Sequence, residues 1–298
     1  MAEKPLRSEG AELGDVLDEL EREHRVKDIS GWDCGFANLG RSLDGIRPGL
    51  YLLIGPPGIG KTSFARQLLD QVAQRNGVPA IFFSFVESKK ELRIKTLARL
   101  SGLDSREIRR GSAYVLHWYG VPRLGGNEAE ELPPSWEKLK RMAEEAKGWL
   151  DSVYLVECDR HTAIEQIETQ VHEIAARSGR EPPFIVIDDC QRLGPADQAP
   201  DARLAIVSEQ LQAVAASCKT PLVATWPDLD GNAASVQRWS EKIPGADVVL
   251  IMQADSQRTP KPTEPNQAIV LHIVKNRGGE RGKLSYEFFP GSSSFKEI

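Results

Sequence analysis

Between Leu50 and Val72 the chain reads as an apolar run of strand length, a glycine-rich loop and a helix with one apolar face. The loop, Gly55-Pro56-Pro57-Gly58-Ile59-Gly60-Lys61-Thr62, has the spacing of Gly, four residues, Gly, Lys and Ser/Thr. In that pattern backbone N–H groups cradle phosphates, the lysine reaches the β and γ phosphates, and the hydroxyl holds Mg2+. Leu50 to Ile54 supply the strand, and Phe64, Leu68, Leu69 and Val72 recur at helical spacing behind the loop. An anion at the junction meets the unpaired N–H groups and the positive dipole end of that helix. The stretch predicts a nucleoside triphosphate site built from Gly55 through Thr62.

Strand and helix signals go on alternating. Residues 79–85 and 153–157 read as strands, and 89–100 and 135–150 as helices. Thr162, with Glu165 three residues on, has the form of a capping box opening a helix whose buried face is Ile164, Ile167, Val171 and Ile174. Residues 184–188 and 221–226 are further strands, with Leu204, Val207, Leu211 and Val214 marking the helix between them. Beyond about residue 226, the segments 247–252, 268–274 and 283–289 are strands with no helix-length segment among them. This order predicts an α/β fold, a mostly parallel twisted sheet flanked by helices and finished by C-terminal antiparallel strands. Residues 26–49 read as a loop-rich approach broken by glycines, and 113–134 as a loop insertion. An acidic helix over 11–25 carries Leu13, Val16, Leu17 and Leu20 as a stripe, which has to be buried on its own domain or on a neighbouring subunit.

Hydrolysis needs more than a phosphate cradle: a carboxylate in the metal shell, and a group that orients the attacking water. Asp188 ends an apolar strand at the edge where open α/β sheets bind ligands. Side chains alternate along a strand, so Asp189 should point to the other face, which leaves Asp188 to share the metal with Thr62. Glu87, just past the second strand, is the candidate general base, with a helix-dipole role as its alternative. The run Lys275-Asn276-Arg277-Gly278-Gly279-Glu280-Arg281-Gly282-Lys283 is a basic hairpin tip, either merely solvated or offering cations to a neighbouring subunit.

With 38 basic and 43 acidic side chains the net charge is −5, so nucleic-acid binding has to come from a local patch. No apolar run approaches the ~18 residues of a membrane span. The N-terminal residues lack a signal-peptide core. The expectation is a soluble cytoplasmic protein without a membrane partner. Cys34, Cys158, Cys190 and Cys218 are scattered, which predicts free thiols and no metal motif.

Taken in order, residues 29–295 resemble the RecA-like ATPase domain of the DnaB-type replicative helicases, members of superfamily 4. Gly35-Phe36, Leu39 and Leu43-Asp44-Gly45-Ile46-Arg47-Pro48-Gly49 resemble the family's lead-in to its Walker A loop. Asp188 with Gln191 three positions on resembles its Walker B segment, and Gly245-Ala246-Asp247-Val248-Val249-Leu250 and Lys275-Asn276-Arg277-Gly278 resemble its C-terminal part. The resemblance implies a P-loop ATPase using ATP and Mg2+, a DNA helicase or translocase of DNA replication. It implies a homo-oligomer, usually a hexameric ring with ATP between subunits, and single-stranded DNA as a partner. It divides the chain into an N-terminal linker helix at 1–28, which grips an adjacent protomer, and an ATPase domain at 29–298. In that scheme Lys61 and Thr62 hold phosphate and Mg2+, Asp188 completes the metal site, and Lys275 and Arg277 act as cationic fingers from the next subunit.

The sequence departs from the family at several places. Its catalytic glutamate falls on Val86, two positions after Ser84, with Glu87 next; Phe85-Val86-Glu87-Ser88 is similar to the Phe-Glu-Glu-Ser of KaiC-type ATPases. The glutamine that couples nucleotide state to DNA falls on Asp228, which makes Gln191 and Asp228 the coupling candidates. The channel loops, 194–202 and 228–240, hold Asp197, Asp201, Asp228 and Asp230 against Arg238. Three functions therefore stand open: a DnaB-like helicase domain, a RecA- or KaiC-like oligomeric ATPase switch or scaffold, and a nucleotide-binding protein with negligible hydrolysis.

Overall fold

In the computed structural model the described residues are 29–110, 134–179, 182–195, 197–228, 245–256 and 266–298, with Leu13, Gly14, Leu17, Asp18, Glu21, Trp239 and Ile243. The chain first forms α1 (Ala37–Leu43), β1 (Gly49–Gly55), α2 (Lys61–Asn76), β2 (Ala80–Ser84), α3 (Lys89–Ser101), α4 (Ser105–Arg110) and α5 (Pro134–Leu150). It continues through β3 (Val153–Glu157), α6 (Ile164–Ser178), β4 (Phe184–Asp188), α7 (Pro200–Ser217) and β5 (Pro221–Pro227). The last strands are β6 (Val248–Ala254), β7 (Gln267–Asn276), β8 (Gly282–Phe289) and β9 (Ser294–Glu297).

These strands make one sheet in the order β3-β2-β4-β5-β1-β6-β7-β8-β9. The pairs from β3 to β6 are parallel and those from β6 to β9 antiparallel. The central β1 is buried along its whole length because helices cover both faces. Tyr51 and Leu53 join the core that includes Phe64, Leu68 and Val72 of α2, while Leu50, Leu52 and Ile54 join the one that includes Leu204, Val207 and Leu211 of α7. A strand sandwiched in this way needs apolar residues at every position, which is why it reads as a continuous hydrophobic run.

The phosphate loop is braced from behind by the C-terminal strands. Gly60 has φ +99°, and a Cβ there would lie 2.9 Å from the Phe288 and Phe295 rings. Those rings stack on each other with centroids 4.3 Å apart, and Phe295 meets Phe64 of α2 edge-on at 5.2 Å. Gln67 locks the joint: its Nε2 donates to Phe295 O at 3.0 Å, and Phe295 N donates to its Oε1 at 2.7 Å. Any larger residue at Gly60 would push the loop off this aromatic floor.

Several elements differ from the sequence-based expectations. The approach to β1 contains the two-turn helix α1, which buries Leu39 and Leu43, and α4 follows α3 directly. The four-residue β9 extends the sheet beyond the predicted last strand. Thr162 does not cap α6; its hydroxyl bonds Asp159, and Gln166 Oε1 accepts instead from the Ala163 N–H at 2.9 Å. Of the N-terminal helix, Leu13, Gly14, Leu17, Asp18 and Glu21 are helical, with Leu13 and Leu17 exposed; the rest of it, and nearly all of the 113–134 segment, lie outside the described residues. Among the described residues, no helix is long and apolar enough to cross a membrane.

Candidate nucleotide site

Parallel strands in register bring their C-terminal ends to one edge. Ser84 pairs with Asp188, and Gly55 with Pro227, so the ends of β2, β4, β5 and β1 lie side by side. A cavity of about 890 Å³ opens above them, lined by Pro57, Gly58, Lys61, Thr62, Val86, Asp188, Asp189, Gln191, Asp228 and Trp239 among others. That volume lies within the usual range for small-molecule sites.

The loop's own groups satisfy one another. Lys61 Nζ donates to the carbonyls of Gly55 at 2.8 Å and Pro56 at 3.0 Å. Burial lowers its pKa from the ordinary lysine value, against the opposing pull of Asp188, Asp189 and Asp228. Thr62 Oγ1 donates to Asp188 Oδ2 at 2.8 Å, and Thr225 Oγ1, from the strand between them, donates to Asp188 Oδ1. A hydroxyl and a buried carboxylate at this separation form the all-oxygen donor set that a hard cation such as Mg2+ prefers. The residues present thus fit a Mg2+-nucleotide.

The two other predicted acidic residues divide. Glu87 does not line the cavity: its Oε1 pairs with Lys95 Nζ at 3.2 Å, its N–H and carbonyl are tied to Ser84 Oγ, and the wall at this turn is Val86. Lys95 in turn donates to Ser63 Oγ at 3.2 Å, next to Thr62. Burial raises the pKa of Glu87, with Lys95 acting against it. Asp189, which strand alternation assigned to the opposite face, lines the cavity beside Asp188. Strand pairing stops at Asp188; Asp189 is still extended (φ −99°, ψ 144°) but lies outside the ladder, and a 3-10 turn, Cys190–Leu193, begins directly after it, so the sheet no longer fixes which face its side chain takes. Its Oδ1 is buried without a hydrogen-bond partner among the described residues. Its pKa is raised, by burial first and by the Asp188 charge second.

Gln191 and Asp228 both reach the cavity wall, and the Asp228 N–H donates to Gly55 O at 2.9 Å, tying the end of β5 to the start of the phosphate loop. Ala199, Pro200 and Asp201, at the start of α7, complete that side; residues 229–238 and 240 of the second channel loop lie outside the described residues. Lys275 and Arg277 are not brought to this cavity. Because β7 runs against β6 and β1, Arg277 lies level with Leu50, and the five residues from there to Gly55 amount to about 16 Å of strand. Arg277 is 64% exposed and pairs with Asp247 Oδ1 at 3.0 Å, while Lys275 Nζ donates to Ile243 O at 2.8 Å. Sequence reasoning missed Thr225, Trp239 and Lys95, which carry no motif of their own.

Comparisons with known proteins point the same way. The family described as DnaB-like helicase C terminal domain matches residues 31–229, a span that ends before Lys275. The replicative DNA helicase DnaC of Bacillus subtilis (strain 168) is 25% identical over 96% of this chain, and the replicative DNA helicase DnaB of Geobacillus stearothermophilus 24% over 96%. The chain spans 61% of the length of each of these curated relatives. Among solved structures, the ATPase domain of G40P superposes with a TM-score of 0.75 at 18% identity, covering 99% of this chain and 100% of that one. A DnaB-like replicative helicase, described with its interactions with primase, superposes at 0.67 and 17% identity, covering 98% of this chain and 67% of its own. These likenesses extend the RecA-like fold across the C-terminal strands that the family match leaves out.

Proposed function

The chain belongs to the DnaB-like helicase C-terminal domain family, and we propose that it is an ATP-hydrolysing motor domain that acts as a homo-oligomeric ring, hexameric as in DnaB-type assemblies, on single-stranded DNA. The observation that carries this reading is the Thr62 to Asp188 pair beside Lys61, at the mouth of a cavity formed by the parallel strand ends. Bound Mg2+ supplies positive charge to the phosphates. Thr62 and Asp188 hold that ion, and the 55–60 backbone and Lys61 hold the phosphates, the lysine leaving its two carbonyls to do so. Water is ordered either by Asp189, which already lines the cavity, or by Glu87 once it is released from Lys95. Arg277 lies at the far end of the sheet from its own cavity, and Lys275, level with Leu52, lies outside the lining of that cavity, which supports their service to the cavity of another copy.

A second reading is favoured by Val86: an oligomeric ATPase switch or scaffold that does not unwind DNA. The valine stands in the cavity wall at the turn where the family carries its catalytic glutamate. One pair of measurements separates the readings: ATP turnover with and without single-stranded DNA, and mass in solution with and without ATP and Mg2+. DNA-stimulated turnover by a ring supports the motor. Unstimulated turnover supports the switch, and nucleotide binding without turnover leaves only the binding protein.

A further inference from the structure

We propose that Glu168 and His172 on α6, with Cys218 at the C-terminal cap of α7, bind one divalent cation of the zinc class. Glu168 and His172 are four residues apart and share a helix face. Cys218 is fixed by its N–H, which donates to Val214 O at 3.0 Å. His172 Nε2 lies 3.8 Å from Glu168 Oε1 and 3.9 Å from Cys218 Sγ, and all three ligand atoms fall within 4.8 Å of one another. Bonds of 2.0–2.3 Å at tetrahedral angles give ligand separations of about 3.3–3.7 Å. Two sides of the triangle, at 3.8 and 3.9 Å, need to shorten by a few tenths of an ångström and the third, at no more than 4.8 Å, by up to about an ångström, within reach of side chains that are at least partly exposed.

The donor set selects the metal. One sulfur, one imidazole nitrogen and one carboxylate oxygen suit zinc and its neighbours, whereas Mg2+ and Ca2+ take oxygen throughout. A supporting contact is already made: Ser217 Oγ donates to Glu168 Oε1 at 2.6 Å and orients the carboxylate as outer groups do around metal sites. Binding would replace the thiol proton of Cys218, which leaves for solvent, and water would take the fourth position. The sequence concealed the cluster because its ligands come from two helices with β4 between them.

Cys218 precedes the first residue of β5, so the cluster sits at the sheet end opposite the nucleotide cavity, while the other end of α7 lines that cavity. The cation would pin α7 to α6 without touching nucleotide, and the proposal is independent of the ATPase reading. The test is titration of the metal-free, reduced full chain with Co2+, followed by displacement with Zn2+. Thiolate-to-cobalt charge-transfer absorption saturating at one Co2+ per chain is expected, abolished in Cys218→Ser and His172→Ala and with affinity at least about tenfold weaker in Glu168→Gln. Zinc should raise the thermal midpoint of the parent and leave that of Cys218→Ser unchanged. Absence of the charge-transfer band, or a band that survives in His172→Ala, would overturn the proposal. Circular dichroism of each variant shows that a lost band is not a lost fold.

Discussion

Thr62 Oγ1 donates to Asp188 Oδ2 at 2.8 Å, joining the first turn of α2 to the end of β4 across the intervening β5. The contact sets the two oxygens where one cation can take both. Thr62→Val should therefore leave the fold intact and raise the Mg2+ concentration needed for half-maximal nucleotide binding by about tenfold, the scale of one charge-assisted contact. Titration of a fluorescent nucleotide at varied Mg2+ measures this, and an unshifted Mg2+ dependence would remove Thr62 from the metal site.

Lys61 occupies the carbonyls of Gly55 and Pro56, which a triphosphate would have to displace it from. Lys61→Ala should weaken nucleotide binding by about 10- to 100-fold, the loss of one strong charged hydrogen bond. Unchanged affinity by calorimetry would reject the assigned loop.

Glu87→Gln and Asp189→Asn distinguish the two carboxylates proposed to order the attacking water. If Asp189 orders the water, its variant should lose about 100- to 10,000-fold in turnover with nucleotide binding retained, and Glu87→Gln should lose far less. The reverse ranking would mean that Glu87 leaves Lys95 when nucleotide binds. Single-turnover hydrolysis, alongside binding of a non-hydrolysable analogue, reads both outcomes.

Asp189 also predicts a dependence of stability on pH. A carboxyl whose pKa is raised by folding destabilises the native state wherever it is ionised, and the penalty fades as pH falls through the raised value toward the ordinary 3.8. Asp189→Asn should thus be more stable than the parent at neutral pH, by about 1 kcal/mol for a relieved buried polar group. The advantage should shrink on acidification to about pH 4. Urea unfolding at the two pH values checks this; parallel curves would show that the carboxyl is not under strain.

Arg277→Ala should slow turnover by about 1000-fold, as removal of a cationic finger does, and leave nucleotide affinity near that of the parent. Arg277 itself is largely exposed, and Asp247 keeps its bond from the Leu50 N–H, so the thermal midpoint should move little. Mixing this variant with Lys61→Ala should restore part of the activity, because each supplies what the other lacks. No recovery on mixing would end the assignment to a neighbouring copy.

What could be read from the residues alone follows from burial. The strands β1, β2, β4, β5 and β6 are covered on both sides, and such strands announce themselves as unbroken apolar runs. By contrast β9 buries only Phe295 among its four residues, too little for any periodicity. Gly40 in the middle of α1 hid a helix whose stability comes from the packing of Leu39 and Leu43. In the candidate site, the glycine and lysine spacing singled out residues 55–62 because cradling a phosphate would impose that spacing. The place of Asp189 depended on where a strand ends, a matter of one residue that alternation cannot settle.

The separation of Arg277 from its own phosphate loop, about 16 Å along the sheet, bears on how copies can associate. If Arg277 serves a neighbour's cavity as proposed, an open row of such subunits always finishes with one empty-handed turn and one unserved cavity. Closing the row removes both defects together, so each added subunit completes one more active pocket and the last completes two. Specific activity should then rise steeply with protein concentration and level off where the circle shuts.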